Sequence, residues 1–269
     1  MIPAAFEYER ADSVEQAIDL LGRDENAKLL AGGHSLIPLM RLRLARPSLL
    51  VDIGRLDDLR YVREDGNRIA IGALTRHAEL VGDPVLARHG ALLSEAAALI
   101  GDPQVRHRGT IGGAVAHGYP VSDLSTITLT LDADFVARGP EGERTIPAAE
   151  FFTGAFDTAL GHSDVLAEIR FPKVERGTYL KYVRRAQDWA TVGVAAAGVD
   201  GRVHVGLTGL GLTPLRARSV EQALEDGASP ADAAAHAAEG TQPPSDVSGS
   251  GEYRAHLAQV LVRRALEQL

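Results

Sequence analysis

Two short stretches combine paired glycines with hydroxyl side chains between apolar segments: Ala31-Gly32-Gly33-His34-Ser35-Leu36 and Thr110-Ile111-Gly112-Gly113-Ala114. Glycine lets successive main-chain N–H groups converge on one point, which makes a nest for an anion. The hydroxyls of Ser35 and Thr110 add donors, and a helix starting after Ser35 would point its positive end at the same place. A pyrophosphate suits such a site. Hydrogen bonds to a charged group contribute roughly 1.5–3 kcal/mol each, so a few would hold a diphosphate without a lysine. Neither stretch matches GxGxxG or GxxxxGK followed by Ser or Thr, so the dinucleotide fold and the P-loop lack their signatures. Taken singly, each glycine pair also reads as an ordinary tight turn.

The surrounding pattern supplies the elements that must position these loops. Asp12-Ser13 followed by Val14, Ala17, Ile18, Leu20 and Leu21 gives a cap and an apolar helical spacing, predicting a helix over 13–22. A short apolar strand over 27–31 then runs into the first glycine loop. A helical pattern resumes over 36–44, and Leu49–Ile53 reads as a buried strand, so residues 1–55 form a small βαβ-type lobe. Residues 56–174 form a second lobe, with a strand over 68–72, helices near 76–81 and 91–100, the second glycine segment, an apolar stretch over 124–131 and strands ending near Pro172. The stretch 172–177 is the boundary. Beyond it, 178–183, 191–199 and 203–207 read as three antiparallel strands, Asp200-Gly201 being a hairpin turn. Helical patterns over 217–239 and 252–269 flank a Gly/Pro/Ser-rich linker over 240–251, completing a C-terminal α+β domain of residues 175–269.

The bulk properties narrow the function classes. A chain of 269 residues is long enough for more than one packed unit, and 45% hydrophobic with 24% charged residues is ordinary globular usage. The formal charge of −8 and the lack of basic clusters argue against a nucleic-acid partner. No apolar run approaches the ~20 residues of a membrane span, and the opening MIPAAFEYERADS has no basic region followed by an apolar one, so a cytoplasmic location is expected. With no cysteine in the chain, any iron–sulfur cluster must belong to another polypeptide. His34 and His117 lack a third ligand, so no metal site is expected.

The segments AGGHSLIPLMRLRLARPSLLVDI and DPQVRHRGTIGGAVAHGYPVSDL closely resemble the FAD-binding medium subunits of carbon monoxide dehydrogenases and xanthine-dehydrogenase-like molybdenum hydroxylases, and the likeness runs along essentially the whole chain. The resemblance implies an α+β fold: a two-lobed FAD-binding domain of the p-cresol methylhydroxylase type, followed by the C-terminal three-stranded antiparallel sheet with helices. It implies FAD as cofactor, with both glycine loops around its pyrophosphate: Gly32, Gly33, His34, Ser35 and Leu36 from the first, Thr110, Gly112, Gly113 and Ala114 from the second. Asp123 matches an acidic residue near the FAD ribose, though it also reads as a helix cap ahead of Leu124. Ile100 and Leu166 match neighbours of the isoalloxazine ring and equally suit a core. Trp189, the single tryptophan, matches an aromatic near the flavin, and Lys181 either reaches the polar edge of the ring or stays solvated.

The resemblance also implies partners: a large subunit with the molybdenum cofactor and a small subunit with two 2Fe–2S clusters, assembled as a dimer of heterotrimers. This chain would then pass electrons through FAD to an external acceptor, with no catalytic acid or base of its own. Three positions depart from the family pattern. Ala114 stands where TIGGN supplies an asparagine, removing an amide that contributes about 1 kcal/mol to cofactor binding. Tyr119 replaces an aspartate, and His117 a small or polar residue. These departures keep open a stand-alone flavin oxidase or dehydrogenase; a cofactor-free scaffold is the third reading, against which the intact glycines speak.

Overall fold

A computed structural model describes residues 2–174 and 176–269. In the first lobe, β1 (Glu7–Arg10) leads into α1 (Val14–Gly22), β2 (Lys28–Leu30), α2 (Leu36–Arg41) and β3 (Leu49–Asp52). The Ser13 hydroxyl caps α1 by accepting from the Gln16 amide at 3.1 Å, and Val14, Ala17, Leu20 and Leu21 form its buried face, as the helical spacing predicts. The strands are parallel in the order β1-β3-β2, the product of two crossover helices. Its small core borrows Leu74, Val165 and Ala167 from the next lobe.

The middle lobe opens with β4 (Val62–Asp65) and β5 (Arg68–Gly72). A run of short helices follows: α3 (His77–Leu80), α4 (Pro84–His89), α5 (Ala91–Ala98), α6 (Pro103–Arg108), α7 (Ile111–Ala116) and α8 (Asp123–Thr130). Asp83 and Asp102 cap α4 and α6, each with proline at the first helical position. The lobe closes with β6 (Asp134–Gly139), β7 (Gly142–Pro147), α9 (Ala148–Phe151), β8 (Phe152–Gly154), β9 (Asp157–Thr158) and β10 (Val165–Pro172). β10 returns between β5 and β6, giving the antiparallel order β4-β5-β10-β6-β7. Among these, α4, α6 and the β6–β7 hairpin carry little apolar periodicity and are not apparent from the sequence.

The C-terminal region forms β11 (Gly177–Tyr182), β12 (Val192–Val199), β13 (Arg202–Thr208) and β14 (Leu215–Arg216), then α10 (Arg218–Glu225), α11 (Pro230–Ala234) and α12 (Gly251–Leu266). Asp200 and Gly201 both take positive φ, the requirement of a tight hairpin turn. The expected three strands gain a fourth, β14, whose two residues at the sheet edge are too few to show alternation. The sequence-based boundary at 174/175 falls on Glu175, outside the described residues.

Every residue of α8 is buried, because it lies between the middle-lobe helices and the C-terminal sheet. Its threonines are satisfied locally: Thr126, Thr128 and Thr130 donate back to the carbonyls of Ser122, Ser125 and Thr126. Gly206 on β13 lets the sheet approach, since a Cβ there would meet the Thr130 hydroxyl and the Thr126 carbonyl. The largest hydrophobic core accordingly runs from Ile69, Phe135 and Phe171 through α8 to Tyr179, Ala195 and Val199. No described helix is long and apolar enough to cross a membrane.

Candidate functional site

The two glycine segments touch. A Cβ on Gly32 would lie 2.1 Å from the Arg108 carbonyl oxygen and 2.9 Å from the Gly109 Cα, so only a bare Cα permits the first loop to rest on the residues preceding the second. Gly33 takes φ +77°, which turns the chain from β2 into α2. Within this turn the amides of residues 32–36 donate to no protein acceptor among the described residues, and Ser35 opens α2 without spending its hydroxyl on a cap. The first loop therefore offers unspent amide donors to the cleft side of the turn.

The second segment differs from that expectation. It is the first turn of α7, and its amides are already used: Ile111 donates to Thr75 O at 3.0 Å, Gly112 to Ala73 O at 2.8 Å, Gly113 to Thr110 Oγ1 at 3.1 Å and Ala114 to Thr110 O at 3.0 Å. Gly112 is needed for packing, since a Cβ would fall 2.5 Å from that of Ala73. Gly113 alone of the pair is exposed, offering a flat surface with no side chain. The second loop thus supplies shape, and the first supplies donors.

Between them opens a cleft of about 570 Å³, lined by Gly32, Gly33, His34, Ser35, Leu36, Ile100, Thr110, Gly112, Gly113, Ala114, Asp123, Leu166 and Trp189. Of the residues singled out from sequence, only Lys181 does not line it. Its ammonium lies instead 2.8 Å from Asp123 Oδ2 with a side chain 5% exposed, which excludes the solvated alternative. Asp123 Oδ1 accepts the Tyr179 hydroxyl at 2.5 Å. Burial pushes the Asp123 carboxyl up, against the pull of Lys181 and Tyr179. Ser122, not Asp123, caps α8. Asp123 therefore faces the cleft on one side and is held from behind by β11.

Ile100 follows α5 as a half-buried wall residue, its carbonyl held by Arg106 at 2.9 Å, and Leu166 points inward from β10. Trp189 is half exposed at the rim and meets Tyr119 edge-on at 4.6 Å; Tyr119 lies 5.2 Å from Phe156, which has His117 at the same distance. Two of the three residues that depart from the family pattern, His117 and Tyr119, thus share one aromatic rim with Phe156 and Trp189. Phe156 was not foreseen. It sits at a hairpin tip with φ +59°, docked by its amide on the Gly118 carbonyl, a placement set by tertiary contact.

Two histidines also escape sequence reasoning. His162 bridges the Leu21 and Asp24 carbonyls through Nε2, both at 3.0 Å, and so ties the first lobe to the segment before β10. His77 is 4% exposed, lines the cleft and stays neutral, burial having lowered its pKa to about 4 with help from Arg106 and His34. No motif marks either one.

The sequence matches two families: residues 4–174 the FAD binding domain in molybdopterin dehydrogenase, and residues 177–269 the CO dehydrogenase flavoprotein C-terminal domain. It is 42% identical to the carbon monoxide dehydrogenase medium chain of Hydrogenophaga pseudoflava, over 99% of this chain and 97% of that one. It is 39% identical to the 6-hydroxypseudooxynicotine dehydrogenase complex subunit alpha of Paenarthrobacter nicotinovorans, over 99% and 95%. The fold superposes on the solved carbon monoxide dehydrogenase from Hydrogenophaga pseudoflava with a TM-score of 0.96, covering 100% of this chain and 98% of that one.

Proposed function

The chain belongs to the FAD-binding medium subunits of the carbon monoxide dehydrogenase and xanthine dehydrogenase family of molybdenum hydroxylases, and from that premise we propose that it relays electrons from iron–sulfur clusters on a partner subunit to an external acceptor. FAD supplies the redox chemistry when bound. The chain's own residues bind and orient it. The free amides of residues 32–36 and the Ser35 hydroxyl hold the diphosphate, with the bare face of Gly113 and Ala114 closing over it from the other lobe. Asp123, braced by Lys181 and Tyr179, accepts from a polar group of the cofactor, and Ile100, Leu166 and Trp189 border the isoalloxazine. The observation that carries this reading is the run of unspent amides in a loop that lines a cleft with nearly all the matched residues.

Partners supply the rest of the relay. A large subunit with the molybdenum cofactor and a small subunit with two 2Fe–2S clusters, in a dimer of heterotrimers, accord with a chain that has no cysteine to hold a cluster. The relatives act on different compounds, so the substrate class is a property of the large subunit. Purification from the native source tests the proposal: a yellow chain should copurify with both partners, whereas a yellow chain alone would favour a self-contained flavoprotein. In Gly33→Asp or Gly113→Asp a carboxylate faces the diphosphate, and FAD affinity should fall more than about 100-fold (~2.7 kcal/mol). Stoichiometric FAD retained in both variants would sink the two-loop arrangement.

A further inference from the structure

We propose that His77 is a further cofactor-binding residue, its Nε2–H donating to an oxygen of the phosphate–ribityl backbone of FAD; this rests on the reading of the cleft given above. His77 opens α3, and its amide donates to the Gly109 carbonyl at 2.9 Å, so it is fixed beside the strip that joins the two glycine loops. The residue is 4% exposed, yet among the described residues its Nδ1 has no protein partner and no hydrogen bond is found for its Nε2. Nδ1 is sealed off entirely, whereas Nε2 is not, and His77 lines the cleft. Glycine at 109, which also lines the cleft, leaves space beside this edge: a Cβ there would stand 2.7 Å from Cδ2 and 2.8 Å from Nε2.

The tautomer follows from this geometry. A sealed N–H without an acceptor costs more than a sealed lone pair, so the proton resides on Nε2 and Nδ1 is left bare. The imidazole is neutral, and a neutral donor facing the cleft matches an oxygen acceptor and nothing cationic. A buried polar group with no protein partner, aimed into a ligand cleft, is what a cofactor contact leaves behind when described from the protein side alone.

The experiment compares His77→Gln with His77→Met on the full chain, because the two side chains have similar shape and only Gln offers a donor near the Nε2 position. FAD titration of the flavin-free protein should show the Met variant weakened about 10- to 100-fold and the Gln variant within about threefold of wild type. In histidine-labelled wild type, saturating FAD should move the His77 Nε2 proton resonance, a measurement that needs no variant to fold. Titration with ADP, which lacks the ribityl chain, locates the acceptor: the same Gln-to-Met contrast places it on the diphosphate, and its absence places it on the ribityl hydroxyls. Equal FAD affinity for the Met variant and wild type, equal loss in both variants, or an unmoved resonance would overturn the proposal. Failure of wild type itself to bind FAD would instead remove the reading of the cleft.

Discussion

At residue 77 a neutral imidazole is a liability in acid. In the unfolded chain its ordinary pKa of 6.5 lets it take up a proton, while burial in the folded protein holds it near 4. Between those values the unfolded state binds more protons, so stability is lost as pH falls from about 6.5 to about 4, by about 3 kcal/mol over the window. The unfolding free energy of the flavin-free protein, from urea titrations at about pH 7 and about pH 5, should fall by about 2 kcal/mol more in wild type than in His77→Gln. Parallel curves would show that His77 does not titrate this way. Ala114 makes the opposite kind of prediction. It lines the cleft half-buried, and restoring an amide with Ala114→Asn should tighten FAD binding by about 1 kcal/mol, a five- to tenfold drop in Kd by titration.

Between elements, the contact of α8 with β11 rests on a buried charge. Asp123→Asn leaves the Lys181 ammonium without a counter-ion at a side chain 5% exposed, at a cost of about 3–5 kcal/mol. Lys181→Met should cost less, because the Asp123 carboxyl, already pushed up by burial, can take a proton and keep its bond with Tyr179. The double substitution should recover much of the loss, and thermal unfolding of the three variants reads that order; a Met variant worse than the Asn variant would refute it. This contact also shows where sequence reading stops. The glycine pairs, the α1 periodicity and the Asp200-Gly201 turn are local signals, and each has its element in the structure. The Asp123–Lys181 pair joins residues 58 positions apart, so the sequence shows only two charged residues and not that each buries the other. The second glycine pair is legible as glycines, but that its amides are spent on Thr75 and Ala73 follows from chain packing alone. His77 and Phe156 carry no local signal at all.

For the whole molecule, the three lobes do not own three separate cores. The first borrows Leu74, Val165 and Ala167, and the largest core needs Tyr179, Ala195 and Val199 from beyond residue 174. Cooperativity requires that elements sharing a core lose it together, so urea unfolding should be a single transition despite a chain of 269 residues. The one tryptophan, Trp189, sits at the cleft rim, while far-UV circular dichroism reports the sheets and helices of all three lobes; the two signals should give coincident curves. FAD spans the first and middle lobes in the proposed reading, so at about 100 times its Kd it should add about 2.7 kcal/mol without splitting the transition. A separate low-urea step seen by Trp189 alone would mean that the C-terminal sheet lets go of α8 first. That outcome would contradict the shared core and would leave the Asp123–Lys181 pair as a latch between independent units.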